Sequence, residues 1–415
     1  MKVIAFISHR YIDNYEFDLL ISSSDRLIAF VLEPFINQFP ENKKHYFHEI
    51  VPIPMPTKNT GPLIKFDYAI LKSKIELIVT KYACKNNFWL MCVDEVNMSL
   101  SAHLRDEFNL FGIKENEASL FQNKLLMKNH LTNSSIPIPK YEPFNPNESK
   151  SDTYDYYHQL KNRLGEIFVL KPSSYTGSFG VSIAKNFDDF KVFYDLKAFD
   201  LHEYEAETFI DGDLYHCDIA INNKEILFSE CCQYTCPNND FSKGKVIASL
   251  ILPDQSELKS HLCKIAVEAI THLGAANGVF HVELFVAQDK IYFLEAAARP
   301  AGGLVAKMYE KMFDINLFTL DLGIHLNMNL PKIKRNTSFC MQVLLPINKY
   351  VIDHFNEAKF KSFIDIEWLI SKEEIAQKNS KSVVDVAGKA IFYSNHYEDI
   401  KNDFYQLKSL GSDHA

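Results

Sequence analysis

The sequence predicts a multi-domain protein of mixed α/β and α+β class. The chain has 415 residues, 47% of them apolar, and a chain of this length usually divides into about two to four compact units. Short apolar strands alternate with longer amphipathic stretches over residues 1–100, which is typical of a parallel α/β domain. Paired strands dominate the middle of the chain, and a smaller α/β module follows them. No internal repeat interrupts this order.

We divide the chain into four parts, at 1–115, 116–206, 207–335 and 336–415. In the first part the pattern predicts strands at 3–7, 27–32 and 89–93 and a helix at 68–82. In the second part it predicts a helix at 118–131, a strand-like stretch IPIPKYEP, a polar loop or mobile connection at 145–155, and a hairpin with a glycine-rich tip at 167–186. In the third part it predicts strands at 215–221 and 226–229, a helix at 256–272 and a hairpin at 279–297. In the last part it predicts strands at 339–345 and 384–393.

Composition and charge exclude several classes of protein. The formal net charge of -9 argues against nucleic acid as the main partner, because phosphate binding requires an excess of clustered Lys and Arg. The N-terminal MKVIAFISHR is too short for a signal-peptide core, and no run approaches a membrane span, so we expect a soluble cytoplasmic protein. The eight cysteines lack the paired spacing of a zinc or redox site and are expected to be reduced.

Two glutamates occur in the predicted hairpin GVFHVELFVAQDKIYFLEA, one in each apolar run. A three-residue loop centred on Asp289 places Glu283 directly opposite Glu295 on one face, whereas a two-residue loop puts them on opposite faces. Two carboxylates on one face repel each other unless a cation lies between them. Oxygen ligands of this kind suit Mg²⁺ better than zinc.

Lysines and small residues suggest a phosphate site, although the chain has no GxGxxG after its first strand and no GxxxxGK[ST]. Lys171 ends the strand IFVLK and precedes a turn rich in Ser, Thr and Gly that includes Ser178. Small residues allow backbone N–H groups to approach phosphate oxygens. Lys124 lies in the helix before IPIP, and taken alone it is more typical of a solvated surface.

Five motifs in order resemble the ATP-grasp ligases. They lie within residues 118–305 and read NKLLMKNHLTNSSIPIPKY, FVLKPSSYTGSFGV, EAETFIDGDLYHCDIAI, GVFHVELF and FLEAAARPAGG. The resemblance implies an ATP-grasp fold, with the N-terminal α/β domain as the pre-ATP-grasp domain and the C-terminal module as the other usual flank. It also implies that ATP and Mg²⁺ are the cofactors.

The resemblance assigns a phosphate and metal side to the site. It implies that Lys124 and Lys171 hold the ATP phosphates and that the glycine-rich hairpin around Ser178 closes over them as a lid. It implies that Glu283 and Glu295 bind magnesium. We expect residues from about 130 to 206 to move as one lid, because such lids exclude water from reactive acyl phosphates.

The resemblance also assigns an adenine and ribose side. It implies that Glu207 and the backbone near Phe209 meet the adenine. It implies that His216, Asp218 and Gln233 line the ribose and the rest of the base.

The stretch FLEAAARPAGG combines two charged residues, Glu295 and Arg299, with a glycine-rich turn. Arg299 shares the odd-numbered parity of the two glutamates, so an extended chain turns it toward the same chamber, and the resemblance implies that it stabilises charge in the reaction. Gly302 and Gly303 would expose backbone N–H groups to a substrate carboxylate, and Gly303 would leave room for a side chain. Ala297 stands where members often carry an asparagine ligand, which leaves the number of metal ions open.

Within the family, EAAARPAGG most resembles the ligases that join free amino acids into dipeptides. The resemblance therefore implies an ATP-dependent carboxylate–amine ligase that joins amino acids or similar small acids through an acyl phosphate, with ADP and phosphate as products. The alternatives are another amide-forming or carboxylase-like enzyme, or an ATP-binding regulatory protein without turnover. The sequence allows a homodimer but does not predict one, and no motif identifies the acid or the amine substrate.

Overall fold

The computed structural model describes residues 1–56, 64–145, 152–195, 203–330, 332–375, 378–380 and 382–410. Within these ranges the chain forms a four-stranded parallel sheet, a four-stranded antiparallel sheet and an eight-stranded antiparallel sheet. The predicted mixed class is therefore confirmed. No described helix combines the length and the apolar character needed to cross a membrane.

The N-terminal sheet has the order β3-β2-β1-β4. Its elements are β1 Val3–Ile7, β2 Arg26–Leu32, β3 Phe47–Ile53, α1 Tyr68–Lys81, β4 Phe88–Met91 and α2 Met98–Glu107. All five residues of β1 are buried, because alternate side chains enter two different cores on the two faces of the sheet. This is why a central parallel strand is apolar throughout.

Two short helices, α3 Glu115–Leu120 and α4 Lys124–Leu131, replace the single helix that we predict over 118–131. The break has a local cause, since the side chain of Asn123 accepts hydrogen bonds from the backbone N–H groups of Leu125 and Leu126. Asn is a favoured residue at this N-terminal capping position. As a result, Lys124 begins α4 instead of lying inside a longer helix.

The smaller antiparallel sheet has the order β5-β8-β6-β7. Its elements are β5 Tyr141–Phe144, α5 Thr153–Leu164, β6 Phe168–Pro172, β7 Ser182–Ala184, α6 Phe187–Asp195 and β8 Tyr204–Thr208. Antiparallel pairing of β6 with β7 confirms the predicted hairpin, which we call the lid hairpin. The predicted loop at 145–155 ends too late, because Asp152 caps α5, and residues 146–151 lie outside the described ranges.

The eight-stranded sheet has the order β13-β12-β9-β10-β11-β14-β16-β15. Its strands are β9 Asp213–Asn222, β10 Glu225–Tyr234, β11 Ile247–Ile251, β12 Gly278–Ala287, β13 Lys290–Ala297, β14 Phe339–Pro346, β15 Phe363–Trp368 and β16 Val386–Ser394. The strands after residue 336 thus extend the sheet of the preceding part through the β11–β14 pair. The boundary that we predict between residues 206 and 207 falls inside β8, and the four-part division stays a prediction.

The helices of the second half are α7 Glu257–His272, α8 Val305–Phe313, α9 Leu317–His325, α10 Lys349–Glu357, α11 Lys372–Ile375 and α12 Tyr397–Ser409. One face of the large sheet packs on α7, and the other packs on α8 and α9. Phe318 and Leu322 of α9 also enter the core beneath the N-terminal sheet. The N-terminal sheet and the helices α8 and α9 therefore share a hydrophobic core.

Candidate active site

One cavity of about 610 Å³ opens where the N-terminal domain, the lid hairpin and the large sheet meet. This volume lies within the range of roughly 300–1,000 Å³ that is usual for small-molecule sites. The predicted site residues that line the cavity are Lys124, Ser178, Glu283, Glu295, Arg299, Gly302 and Gly303. The strands of the C-terminal module add Gln342, Leu344, Glu367, Val386 and Lys389 to its wall.

The β12–β13 hairpin brings the two glutamates together by a route that differs from our prediction. Its loop has two residues, Gln288 and Asp289, both with positive φ, and not the three residues that we expect. This register alone would place the glutamates on opposite faces. A β-bulge at Leu294 shifts the pairing by one residue and sets Glu283 opposite Glu295. The predicted pairing is confirmed, but the predicted loop is wrong.

Both glutamate side chains are engaged by polar neighbours. The Nδ2 atom of Asn238 donates to Oε1 of Glu283 at 2.9 Å, and Nε2 of His281 lies 3.6 Å from the same oxygen. The Nζ atom of Lys124 lies 2.9 Å from Oε2 of Glu295. Burial by itself raises the pKa of Glu295, but the Lys124 and Lys171 ammonium groups outweigh it and hold that pKa below its ordinary value. Two carboxylates that face one cavity are a donor set that fits Mg²⁺.

Lys124 connects three parts of the site. Its Nζ atom donates to the carbonyl oxygen of Tyr175 in the lid hairpin at 2.8 Å and also contacts Glu295. Burial lowers its pKa, but Glu295 more than offsets this effect, so the pKa lies above its ordinary value. The ammonium group is therefore charged at neutral pH and held at the mouth of the cavity.

Lys171 is held away from the cavity in a buried group of ion pairs. Its ammonium contacts the carboxylate of Glu207 and lies 3.4 Å from Oε1 of Glu205. Lys128 contacts the same two glutamates, at 2.7 Å from Oε1 of Glu205. The carboxylate of Glu207, which we expect to meet adenine, therefore accepts from two lysines in this structure.

Two other predicted positions lie in the lid region. The backbone N–H of Phe209, at the end of β8, donates to the carbonyl oxygen of Ile167 at 3.3 Å and is therefore already paired. In the tip of the lid hairpin, Gly177, Ser178 and Gly180 all have positive φ. Backbone N–H groups in such a turn form concave anion-binding surfaces.

A second buried network lies on the face of the large sheet that carries the glutamates. Asp218 is at its centre, with Nδ1 of His216 and Nδ1 of His281 each 2.8 Å from one of its oxygens. The hydroxyl of Tyr309 on α8 also donates to Asp218 at 2.8 Å. Burial lowers the pKa of His281, but Asp218 outweighs it and raises that pKa to about 9. Of the two predicted ribose-side residues, His216 and Asp218, neither lines the cavity itself.

Gln233 does not join this network. In the β9–β10 pair, Cys232 lies opposite His216, and Gln233 lies opposite Tyr215. Since neighbouring residues on a strand point to opposite faces, Gln233 lies on the other side of the sheet from His216 and Asp218. Gln233 therefore does not share a surface with His216 and Asp218, and its contact with the nucleotide stays a prediction.

Arg299 reaches the cavity as predicted and is paired with a residue of the N-terminal domain. Its Nε atom donates to Oε2 of Glu95 at 2.9 Å, and its Nη1 atom donates to the carbonyl oxygen of Pro300 at 2.9 Å. Burial lowers the pKa of Arg299, but Glu95 outweighs it and keeps the pKa above its ordinary value. The guanidinium is therefore charged and held at a fixed position in the cavity wall.

The glycine turn after Arg299 differs from the prediction at one position. A Cβ atom on Gly303, which has φ of +65°, would lie 2.6 Å from Oε1 of Gln342, and this oxygen accepts the N–H of Leu304 at 2.8 Å. The space beside Gly303 is therefore filled by Gln342 and is not room for a substrate side chain. Gly302 is more open, since its nearest atom in that direction is the Tyr11 hydroxyl at 3.8 Å.

Sequence reasoning missed five residues that the structure adds to the site: Glu95, Lys128, Glu205, Asn238 and His281. Three of them carried a usable signal. Lys128 follows Lys124 by four residues and shares its helix face, while Glu205 and His281 share strand parity with Glu207 and Glu283. The contacts of Glu95 and Asn238 are made between distant parts of the chain and had no local signal.

Comparison with known proteins identifies a domain within the chain. Residues 121–303 match the model of the ATP-grasp domain, so this part of the chain is an ATP-grasp domain. A curated relative from Bacillus subtilis, the L-arginine-specific L-amino acid ligase, is 23% identical over 316 residues, which are 72% of this chain and 73% of the relative.

Solved structures share the fold over nearly the whole chain. The L-amino acid ligase from Bacillus licheniformis has a TM-score of 0.72 and 15% identity, covering 99% of this chain and 98% of that one. The N5-carboxyaminoimidazole synthetase from Staphylococcus aureus, solved with ADP, has a TM-score of 0.66 and 14% identity, covering 98% and 97%. The predicted ATP-grasp fold is thereby confirmed.

Proposed function

We propose that this ATP-grasp carboxylate–amine ligase, most similar to L-amino acid ligases, joins two amino acids into a dipeptide and releases ADP and phosphate. The observation that carries the proposal is that Lys124, Glu283, Glu295 and Arg299 line one cavity. In this reaction the carboxylate of one amino acid attacks the terminal phosphorus of ATP, which forms an acyl phosphate and ADP. The amine of the second amino acid then attacks the acyl carbon and phosphate leaves.

The charged residues match the needs of both steps. Lys124 and Lys171 would neutralise phosphate oxygens, and Glu283 and Glu295 would hold Mg²⁺, which when bound offsets charge on the phosphates. Arg299 would stabilise the charge that develops on the transferring group and on the tetrahedral centre. Its pairing with Glu95 supports this role, because a fixed cation needs little reorganisation during the reaction.

The remaining predicted roles are kept as part of the proposal. Glu207 and the backbone near Phe209 would contact adenine, and His216 and Asp218 would support the ribose side from behind the cavity. Since neither His216 nor Asp218 lines the cavity, these two residues would contribute by holding neighbouring residues in position. Gly302 would offer its backbone to the substrate carboxylate.

Amino acids are the substrate class that the comparisons favour. The relative from Bacillus subtilis is described as an L-arginine-specific L-amino acid ligase, and it matches most of this chain in sequence. The carboxyaminoimidazole synthetase matches in fold alone. The specificity of the relative is not carried over, because the substrate pocket includes residues outside the shared motifs, such as Leu344 and Val386.

The direct test is ADP release with purified protein, ATP, Mg²⁺ and pairs of amino acids. We expect release that requires two amino acids together and a product with the mass of a dipeptide. Glu295→Ala should abolish this release, while Asp213→Asn, at an exposed ion pair on β9, should not change it. Full turnover in Glu295→Ala would contradict the proposed metal site.

A carboxylase-like reaction is the second candidate, favoured by the fold match to N5-carboxyaminoimidazole synthetases. In that case ADP release would depend on bicarbonate and an amine, with no need for a second amino acid. Binding of ATP without release under either condition would identify a regulatory protein instead. The same assay therefore separates the three alternatives.

Three finer parts of the proposal need measurements of their own. Mg²⁺ binding is tested by titrating the metal into the complex with a non-hydrolysable ATP analogue, where Glu295→Gln should weaken the response. A cytoplasmic location, expected from unpaired cysteines, is tested by cell fractionation. Whether the protein forms a homodimer is decided by sedimentation.

A further inference from the structure

A buried ion cluster lies behind the cavity, between α4, β6 and β8. Its four members are Lys128, Lys171, Glu205 and Glu207, and each is at most 4% exposed. Lys128 and Lys171 each contact both glutamates, so the cluster holds two positive and two negative charges. Buried charges of this kind are tolerated only when they are paired, since desolvation costs several kcal/mol for each ion.

The two lysines differ in what else they can reach. Lys171 lies near the end of β6, within the lid hairpin, and the charges around it act on its pKa. Burial lowers that pKa, but Glu207, Glu205 and also Glu295, at the cavity, outweigh burial and raise it above its ordinary value. Lys128 is 0% exposed and its charged neighbours are the two cluster glutamates. Of the two lysines, Lys171 lies on the strand that leads into the tip of the lid hairpin, where residues 176–178 line the cavity.

The cluster also has an unmatched acceptor. Within the described residues, the Oε2 atom of Glu205 is buried and has no hydrogen-bond partner. A buried acceptor without a donor is unfavourable, because it has lost its hydrogen bonds to water without gaining others. The cluster is therefore paired in charge but not saturated in hydrogen bonds, which favours rearrangement of its lysines.

We propose that Lys128 is a positioning residue that keeps Glu205 and Glu207 paired when Lys171 leaves them for the phosphates of a bound nucleotide. This inference rests on the proposed function, because it takes Lys171 as a phosphate ligand. Lys128 is fully buried and would not touch the nucleotide. It acts through Lys171 and thereby sets nucleotide affinity.

The physical reason is the charge left behind. When Lys171 turns toward phosphate, the two carboxylates keep one ammonium group, that of Lys128, between them. Without Lys128 they would keep none, and two buried like charges would remain unpaired. Lys171 would then be held more tightly in the cluster, and nucleotide binding would have to break a stronger interaction.

Removing a positive charge and removing a negative charge from the cluster should change nucleotide affinity in opposite directions. A merely structural role of Lys128 would not predict this difference. Lys128→Met should weaken binding of a non-hydrolysable ATP analogue by about tenfold or more, since each tenfold is about 1.4 kcal/mol. Glu205→Gln removes one negative charge and loosens the hold on Lys171, so it should tighten binding about threefold. The double variant Lys128→Met with Glu205→Gln should return to within about threefold of the wild type.

Binding is measured by calorimetry without acid or amine substrates, and thermal unfolding reports folding of each variant. Lys259→Met is the matched control, because Lys259 is also a buried lysine with two carboxylate partners, Glu230 at 2.5 Å and Asp254 at 2.7 Å, but lies on α7. It should leave analogue affinity unchanged. At saturating ATP, turnover of Lys128→Met should approach that of the wild type, because the effect lies in nucleotide binding.

Several outcomes would overturn the role of Lys128. They are wild-type affinity in Lys128→Met, no recovery in the double variant, or weaker binding in Glu205→Gln. If Lys128→Met does not fold, Glu205→Gln still decides, since only the charge argument predicts tighter binding for it. Failure of the wild type to bind the analogue would instead contradict the proposed function and leave the cluster without a nucleotide to respond to.

Discussion

Two buried polar networks flank the cavity, and they are built differently. The lysine–glutamate cluster of Lys128, Lys171, Glu205 and Glu207 is balanced in charge but has a free acceptor. In the second network, Asp218 accepts from Tyr309 and contacts two histidines, and Nε2 of His216 contacts the hydroxyl of Ser249. One network therefore has groups that can exchange partners, while in the other the central carboxylate is fully paired.

This difference indicates a division of roles. A saturated network fixes its members, and here it supports His281 beside Glu283, the proposed metal ligand, and links β9 to α8. An unsaturated ion cluster allows one member to leave when a ligand offers a better partner. We therefore expect changes in the Asp218 network to reduce stability, and changes near the lid to alter binding or turnover.

The largest expected effect is on stability, in Asp218→Asn. Removing the carboxylate leaves the two buried histidines without their counter-charge, and breaking such a pair costs about 3–5 kcal/mol in the free energy of unfolding. Urea denaturation measures this loss. Asp213→Asn on the same strand is the control, because its ion pair with Lys408 is exposed and should contribute less than about 1 kcal/mol. Equal losses in both variants would show that the network is not a stabilising element.

The next largest effect is on turnover, in Arg299→Ala. Loss of a cation that acts mainly in the transition state should lower turnover by about a hundredfold or more, while ATP affinity changes far less. Arg299→Lys should be a poor substitute, because a point charge cannot replace the planar fork held by Glu95. Turnover and nucleotide affinity are measured together. An equal loss of both, or normal turnover in both variants, would remove Arg299 from the reaction.

The smallest expected effect is a local change in backbone hydrogen exchange, which should occur near one network and not near the other. Backbone hydrogen exchange at 175–180 in the lid hairpin should slow when a non-hydrolysable ATP analogue is added, because the turn closes over phosphate. Exchange in β9 around Asp218 should stay the same, since that network is already saturated. Unchanged exchange at 175–180, or equal slowing in β9, would contradict the proposed difference between them.

Much of the fold and part of the site could be predicted from local pattern. Strand and helix positions follow from apolar periodicity, and the lid hairpin follows from its glycine-rich tip between two apolar runs. Cavity-lining side chains such as Lys124, Glu295 and Arg299 were found because five motifs occur in order. Periodicity, turn residues and motifs each depend on residues that are close together in the chain, so a single sequence is enough to show them.

Other features were decided by single residues that break a regular pattern. The bulge at Leu294 brings Glu283 opposite Glu295 despite a two-residue turn, and the cap at Asn123 ends one helix and begins another. Gln233 lies on the opposite face of the sheet from His216 and Asp218, since neighbouring residues of a strand point to opposite sides. A one-residue change of register reverses every side chain that follows, and composition does not reveal it.

The sequence by itself determined the class of fold, the order of the motifs and the chemical types of the groups in the cavity. Only the tertiary structure decided which polar groups meet: Arg299 with Glu95, Lys171 and Lys128 with the same two glutamates, and Gln342 with the glycine turn. The physical reason is distance along the chain. Local backbone preferences act over a few residues, whereas these contacts join parts of the chain as far as 204 residues apart and form only when the sheets and helices pack.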